Sequence, residues 1–147
     1  MKNKTVLYFL IILNFLALIS CAKEREVTLL NNRIGELVNV VEHHKKNQLS
    51  EYFAKDFLTA KNTNKAQFLL FVRYHLKRNK SISIVVVDKN IIENKNSFDV
   101  TFRVLLIGSN SLLPERGQLY NVASKWTKED GAWVINRLRW EKGDLTE

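Results

Sequence analysis

The sequence predicts a single α+β domain in which helices come first and an antiparallel sheet follows. Three observations predict this class. Apolar residues recur every three or four positions as far as Arg78, which is typical of helices that bury one face. Beyond Lys80 apolar and polar residues alternate, which is typical of half-buried strands. The chain has 147 residues, 46% of them hydrophobic, which suits one domain with its own core rather than two.

Three segments have the helical period. The first runs from Glu26 to Lys46, the second from Leu49 to Leu58 and the third from Lys65 to Arg78. Gly35 lies inside the first helix, where glycine costs about 1 kcal/mol relative to alanine. We therefore expect another element to approach Gly35 closely. Asn64 directly precedes the third helix and is a favourable N-cap.

Four segments have the strand period: Ile82–Ile92, Phe98–Val104, Tyr120–Trp126 and Trp133–Trp140. Polar or glycine-containing stretches connect them, at 94–96, 108–117 and 129–131. Short connections between strands favour an antiparallel meander covered on one face by the helices. The three tryptophans fall on the last two strands, and we expect all three rings to fill the core.

The composition excludes several classes of protein. Five glycines and one proline exclude a collagen or a low-complexity chain. The single cysteine, Cys21, excludes an intramolecular disulfide and a zinc site built on several thiolates. Lysine and arginine number 23 against 15 aspartates and glutamates, a net charge of +8, which favours anionic partners without naming one.

The N-terminal segment has the pattern of a bacterial secretion signal. Lys2 and Lys4 precede an apolar run from Val6 to Ile19, which is short for a bilayer-spanning helix. The next residues, Leu18-Ile19-Ser20-Cys21, resemble the lipobox of bacterial lipoproteins. This resemblance implies cleavage before Cys21 and acyl chains on that residue; an uncleaved anchor is the alternative. The chain then divides into a signal peptide (1–20), a lipidated cysteine with a short tether (21–25), one domain (26–142) and a polar tail (143–147).

The predicted membrane location suggests a partner for the excess of basic residues. Anionic lipid head groups are the common polyanion at an envelope membrane, and Lys45-Lys46 and Lys77-Arg78-x-Lys80 are the basic clusters that we expect to face them. A role in solubility alone is the alternative. Nucleic acid is not expected, because the clusters are small and lack interleaved aromatic residues. The residue after Cys21 is Ala22 and not an aspartate, which at this position would resemble an inner-membrane retention signal. The expected location in a Gram-negative cell is therefore the outer membrane, facing the periplasm.

The predicted domain resembles the nuclear transport factor 2-like superfamily. The resemblance rests on the order of the elements, on the closing hairpin Trp126…Gly131-Ala132-Trp133…Trp140, and on two helical motifs. These motifs are Arg33-Ile34-x-x-Leu37-Val38…Val41-Glu42 and Tyr52-Phe53-Ala54-x-Asp56-Phe57. It implies three helices packed on a curved four-stranded antiparallel sheet that leaves a conical cavity. It implies no single function, because the superfamily includes isomerases, dehydratases, hydrolases and non-catalytic binding or assembly domains.

An isomerase of this kind needs a buried carboxylate as base and a tyrosine as oxyanion donor. The candidate carboxylates are Asp56 and Asp99, and the candidate donors are Tyr52, Tyr74 and Tyr120. No spacing forces a carboxylate and a tyrosine together. Asp99 alternates with apolar residues along its strand, so its side chain lies on the opposite face of the sheet from them or points to solvent. Structural or solvated carboxylates are therefore the simpler interpretation.

Other polar residues give no firmer site. His75, on the third helix, is a candidate base at the cavity mouth. His43 and His44 are adjacent on a helix and point about 100° apart, so they are not expected to chelate one metal ion. Neither a metal nor a cofactor is expected. The basic residues of the strands either line the cavity or pair with Asp99 and Glu141; these residues are Arg103, Lys125, Arg137 and Arg139.

The sequence therefore favours a lipid-anchored envelope protein whose one domain binds a small apolar ligand or a partner protein, without catalysis. Two alternatives remain. One is a cavity enzyme with isomerase, dehydratase or hydrolase chemistry. The other is a structural subunit of an envelope or secretion assembly.

Overall fold

The computed structural model describes residues 24–109 and 117–144. These contain two α-helices, one short 3-10 helix and five strands. The helices are α1 (24–42) and α2 (Lys65–Arg78), and the 3-10 helix is Leu49–Tyr52. The strands are β1 (Phe53–Thr59), β2 (Ser81–Glu93), β3 (Ser97–Ser109), β4 (Gln118–Glu129) and β5 (Ala132–Lys142).

The five strands form one mixed sheet in the order β1-β5-β4-β3-β2. The predicted antiparallel meander is confirmed for β2 to β5, and β1 is added at one edge, parallel to β5. The predicted count of three helices and four strands is wrong, because Leu49–Leu58 is a 3-10 turn followed by β1. Phe53 and Phe57, four residues apart, suggested a helix, but four is also a multiple of the strand period of two.

The third predicted helix is confirmed as α2, with the predicted cap. The Asn64 side chain accepts from the main-chain N–H of Gln67 at 3.1 Å, and the Gln67 side chain accepts from the N–H of Asn64 at 3.2 Å. This reciprocal pair satisfies two donors that the first turn would otherwise leave free.

The first predicted helix is shorter than expected. It ends at residue 42 rather than at Lys46, because His44 adopts a left-handed conformation (φ 54°) that a helix cannot continue. The expected close approach at Gly35 is also wrong. Among the described residues, a Cβ atom added at Gly35 would meet nothing within 4 Å.

The sheet has an inner face, which looks towards α2, and an outer face. The register of the last hairpin shifts by one residue between Lys125 and Trp126, which leaves Asn136 as an extra residue in β5. The inner-face positions of β5 therefore change from odd to even: Ile135 lies before the shift, and Leu138 and Trp140 lie after it. At the hairpin turn itself, Asp130 and Gly131 both have positive φ, as the predicted glycine turn requires.

Two of the three tryptophans fill the core as predicted. Trp126 is fully buried, and its indole N–H donates to the Ser124 hydroxyl at 2.9 Å. Trp133 is buried and packs edge-on against Phe98, with ring centroids 4.8 Å apart. The expectation is wrong for Trp140, which is 38% exposed. This ring lies near the end of β5, beside a cavity.

Several predicted features lie outside the described residues: the signal segment, Cys21 and most of the loop 108–117 and of the tail 143–147. The chain separates after Gly35 into two compact units, and α1 belongs partly to each. Within residues 24–109 and 117–144, no helix has both the length and the apolarity needed to cross a membrane.

Candidate functional site

A cavity of about 510 Å³ lies between α2 and the inner face of the sheet. The helix contributes one face at a spacing of three or four residues, from Phe68 to Asn79 just beyond its end. β4 and β5 contribute alternate residues because of the strand period of two, whereas β3 also contributes the consecutive residues Leu106, Ile107 and Gly108. Its lining residues are Val41, Phe68, Phe71, Val72, His75, Leu76, Asn79, Ile82, Val104, Leu106, Ile107, Gly108, Gln118, Tyr120, Val122, Leu138 and Trp140.

Most of this lining is apolar. The polar members are His75, Asn79, Gln118 and Tyr120, and none of the described lining residues is a carboxylate. Two of these side chains are already engaged: Asn79 Nδ2 donates to the main-chain oxygen of His75 at 2.9 Å, and Gln118 Nε2 donates to that of Leu119 at 2.9 Å. No hydrogen bond to the Tyr120 hydroxyl is found within the described parts of the chain. The cavity is thus a mainly apolar site with a few polar groups, which is the usual make-up of a small-molecule site.

Aromatic rings form one wall of the cavity. The Trp140 ring lies 5.7 Å from the ring of Phe68 and 6.4 Å from that of Phe71, centroid to centroid. The centroid of the His75 ring lies 4.5 Å from that of Phe71, and the two ring planes are inclined at 61°. Phe71 and Trp140 both remain partly exposed. These rings therefore present apolar area that a bound molecule would remove from water.

A second groove of about 790 Å³ continues from this wall. It shares Phe68, Phe71, Tyr120, Leu138 and Trp140 with the first cavity. Its other side carries charge, from Lys61, Arg139, Glu141 and Lys142. The apolar cavity therefore opens at one end onto a mixed, mainly basic rim.

The predicted carboxylates lie away from this cavity. Asp56 is exposed on β1, where its Oδ1 accepts from Asn136 Nδ2 at 2.7 Å and its Oδ2 lies 3.9 Å from Arg137 Nη1. Asp99 is exposed on the outer face of β3 and accepts from Asn94 Nδ2 at 2.7 Å. The sequence predicts Asp56 near the end of the helix Leu49–Leu58, whereas it lies at an exposed position of strand β1.

The predicted tyrosines and His75 separate into two groups. Tyr52 is buried in the 3-10 helix, and Tyr74 is exposed on α2, where its hydroxyl accepts from Arg78 at 2.6 Å. His75 and Tyr120 both line the cavity. The structure therefore brings together only His75 and Tyr120 from the predicted set. The alternation along β4 already places Tyr120 on the same face as the buried Trp126.

Two of the three strand arginines make ion pairs other than those expected, and the third, Arg139, lines the second groove. Arg103 pairs with Asp88, to which its Nε donates at 2.6 Å, and Arg137 pairs with Asp56. Asp88 lies where the register between β2 and β3 shifts, and its φ is positive (50°). In the described residues, no group of three or more metal-ligating side chains is present.

The two histidines at the end of α1 have structural partners. His43 Nδ1 lies 3.0 Å from the main-chain oxygen of Asn39, in the same helix. His44 Nε2 lies 2.8 Å from the main-chain oxygen of Asn79, just beyond α2. The second contact brings the ends of both helices together. The predicted basic clusters at 45–46 and 77–80 therefore lie near each other.

Several solved structures resemble this chain at low sequence identity. A candidate dehydratase of the nuclear transport factor 2-like family from Streptomyces avermitilis gives a TM-score of 0.73 at 10% identity, over 84% of this chain and 99% of that one. A candidate scytalone dehydratase from Novosphingobium aromaticivorans gives a TM-score of 0.70 at 14% identity, over 83% of this chain and 87% of that one. Bd1075 from Bdellovibrio bacteriovorus gives a TM-score of 0.69 at 9% identity, over 80% of this chain. The matched part spans only 40% of Bd1075.

No protein-family model matches the sequence, and no curated protein matches it. At identities of 9% to 14% these likenesses establish the fold and not the activity, because one fold serves many functions. The resemblance inferred from the closing hairpin is thus confirmed at the level of the fold: this chain has the nuclear transport factor 2-like α+β fold.

Proposed function

We propose that this domain binds a small, mainly apolar molecule in the cavity between α2 and the inner face of the sheet, and that Cys21 anchors it to an envelope membrane. The observation that carries the proposal is the lining of that cavity. Its volume of about 510 Å³ lies within the range of roughly 300–1,000 Å³ that is usual for small-molecule sites.

The driving force for binding would be the burial of apolar surface. Each Å² of apolar area removed from water contributes about 25 cal/mol. The exposed parts of Phe71 and Trp140 already supply such area on the protein side. The polar groups at His75 and Tyr120 would orient the ligand rather than provide most of the affinity.

The test places a charge in the cavity without changing the sheet elsewhere. Val122 lies on the inner face and lines the cavity, whereas its neighbour Asn121 is exposed on the outer face. Val122→Lys should abolish binding of a neutral apolar dye such as phenylnaphthylamine, measured by its fluorescence. Asn121→Lys is the matched control and should bind the dye like the parent chain. Equal binding by both variants would contradict a site in this cavity.

The membrane anchor is tested separately. Cys21→Ala should leave the precursor unprocessed, and labelling of the chain with radioactive palmitate in growing cells should disappear. Labelling that survived this substitution would exclude Cys21 as the lipidated residue. The cavity proposal does not depend on this result, since Val122 and Cys21 are probed by different measurements.

A cavity enzyme is the second candidate function, favoured by one observation. His75 and Tyr120, a potential base and a potential hydrogen-bond donor, line the same cavity. Two of the similar structures are candidate dehydratases. In that case His75→Ala and Tyr120→Phe should each lower the rate of water loss from a hydroxylated cyclic substrate by about 100-fold or more, without abolishing dye binding.

A further inference from the structure

We infer that the ligand is a single-chain amphiphile with an anionic head group, and that Lys142 and Tyr120 bind this head while the chain lies in the apolar cavity. The inference rests on the proposed function and names the chemical class of its ligand. It starts from the point where the apolar cavity and the charged groove meet. Tyr120 and Trp140 belong to both.

The sheet register places Lys142 beside Tyr120. The two residues are direct partners in the antiparallel pairing of β4 and β5. Directly opposed residues point to the same face, with Cβ atoms about 4.5–5.5 Å apart. The Tyr120 ring lines the cavity, so Lys142 leaves the strand on the cavity side as well, two residues beyond Trp140. An ammonium group and a phenolic hydroxyl thus stand together at the end of an apolar wall.

Both groups are available for a ligand. Lys142 is exposed, and within residues 24–109 and 117–144 its side chain forms no ion pair or hydrogen bond. Lys61 lines the same groove and adds a second cation. The one carboxylate of this groove, Glu141, belongs to the alternate, outer-face positions of β5 and pairs in register with Asn121. The inner-face side of the rim is therefore cationic, which suits a carboxylate or phosphate head.

The rest of the site suits a single acyl chain. A methylene group is about as large as a water molecule, which takes about 30 Å³, so the cavity has room for on the order of 15 such groups. The route from Lys142 passes Trp140 and then Phe68 and Phe71. Beyond them Val104 and Leu106 of β3 continue the apolar lining. Two such chains would exceed the volume of the apolar cavity, and the adjoining groove carries charged residues on its other side, so a one-chain ligand is favoured over an intact phospholipid.

Trp140 provides the readout, because bromine atoms on an acyl chain quench a neighbouring indole. The full-length chain is held in amphipol and titrated with brominated palmitic acid, a brominated lysophosphatidic acid and a brominated alcohol of equal length. Both anions should quench more strongly, at lower concentration, than the neutral alcohol. The ratio between the two anions tells a free carboxylate from a phosphate head. Trp140→Phe should remove most of the quenching, since Trp126 and Trp133 are buried.

Lys142→Gln should weaken binding of both anions by about 3- to 10-fold and leave the alcohol unchanged. Lys125→Gln removes an equal charge from the outer face and should change neither the binding of the anions nor that of the alcohol. If acid and alcohol bind equally to the parent and to Lys142→Gln, the head-group assignment is wrong, although the apolar site stands. If none of the three quenches Trp140, both this inference and the proposed cavity site are overturned.

Discussion

The imidazole Nε2 of His44 donates a hydrogen bond to the main-chain oxygen of Asn79 over 2.8 Å, and this bond joins the C-terminal ends of α1 and α2. His44 has a positive φ of 54°, so the chain leaves α1 in a conformation that directs the ring towards α2. One side chain therefore ends the first helix and fixes its end against the second.

His44→Ala should lower the free energy of unfolding by about 1 kcal/mol, because the carbonyl of Asn79 loses a partly buried partner. His43→Ala is the matched control, since His43 is exposed and bonds only within its own helix end. His44→Gly should lose less than His44→Ala, because glycine accepts positive φ without strain. Urea unfolding of the chain from Ala22 onward measures all three. Equal losses at positions 43 and 44 would contradict the role given to this bond.

The same bond bears on the predicted contact with anionic lipid. It brings Lys45 and Lys46 near the cluster Lys77, Arg78 and Lys80, so all five charges can face one surface. Leu70 on α2 is 70% exposed and could enter the head-group layer. Changing the five residues to glutamine should reduce binding of the chain from Ala22 onward to anionic vesicles, since each basic residue near such a surface contributes about 1 kcal/mol.

Vesicle sedimentation measures this binding, which should weaken as salt shortens the screening length. A control variant removes five exposed charges from other places: Lys55, Lys89, Lys95, Lys125 and Lys128. If both variants lose the same affinity, only the net charge matters. If the parent chain ignores anionic vesicles even at low salt, the clusters have no membrane role.

Gly35→Ala should raise the free energy of unfolding by about 0.5–1 kcal/mol. The added Cβ meets no described atom within 4 Å, and alanine is the better helix former. Gly131→Ala should have the opposite effect, because Gly131 has a φ of 83° that alanine rarely adopts. Thermal unfolding followed by circular dichroism compares the pair. A loss of stability at Gly35 would show that this position needs glycine after all.

Trp133→Ala should destabilise the domain by about 3–5 kcal/mol, because a buried ring in contact with Phe98 leaves a large cavity. Trp140→Ala should lower the free energy of unfolding clearly less, since that ring is already partly exposed. Acrylamide quenching of variants that keep one tryptophan each provides a second measurement. Trp140 should be quenched readily and Trp133 hardly at all; full quenching of Trp133 would contradict its packing.

The sequence predicted best where local pattern decides the structure. Asn64 capped α2 as expected, and the alternation from Ile82 to Trp140 gave four strands in the correct order. The failure at Phe53 and Phe57 has a physical cause: β1 is defined by its pairing with β5, more than 70 residues away, and local spacing contains no information about that partner.

The candidate site was predictable only in part, for a related reason. Alternation identifies Tyr120 as an inner-face residue, but Trp140 reaches that face only through the register shift at Asn136. Nor does alternation say where the packed core ends and a cavity begins. Lys142 was missed because it lies past the last apolar residue of β5, where a lysine resembles an ordinary polar tail. Only its register with Tyr120 shows that it belongs to the site.

The extra residue at Asn136 determines which residues of the last strand point to the inner face of the sheet. Because of it, Leu138, Trp140 and Lys142 face α2, while Arg137 and Arg139 face solvent. If Asn136 instead paired regularly with Lys125, the inner-face positions would continue from Ile135 to Arg137 and Arg139, and two guanidinium groups would enter an apolar chamber. Oδ1 of Asp56, a candidate catalytic base by sequence, accepts a hydrogen bond from the side-chain amide of Asn136 at 2.7 Å. A hydrogen bond outside the chamber thus holds the residue whose extra place in β5 determines which side chains line the chamber.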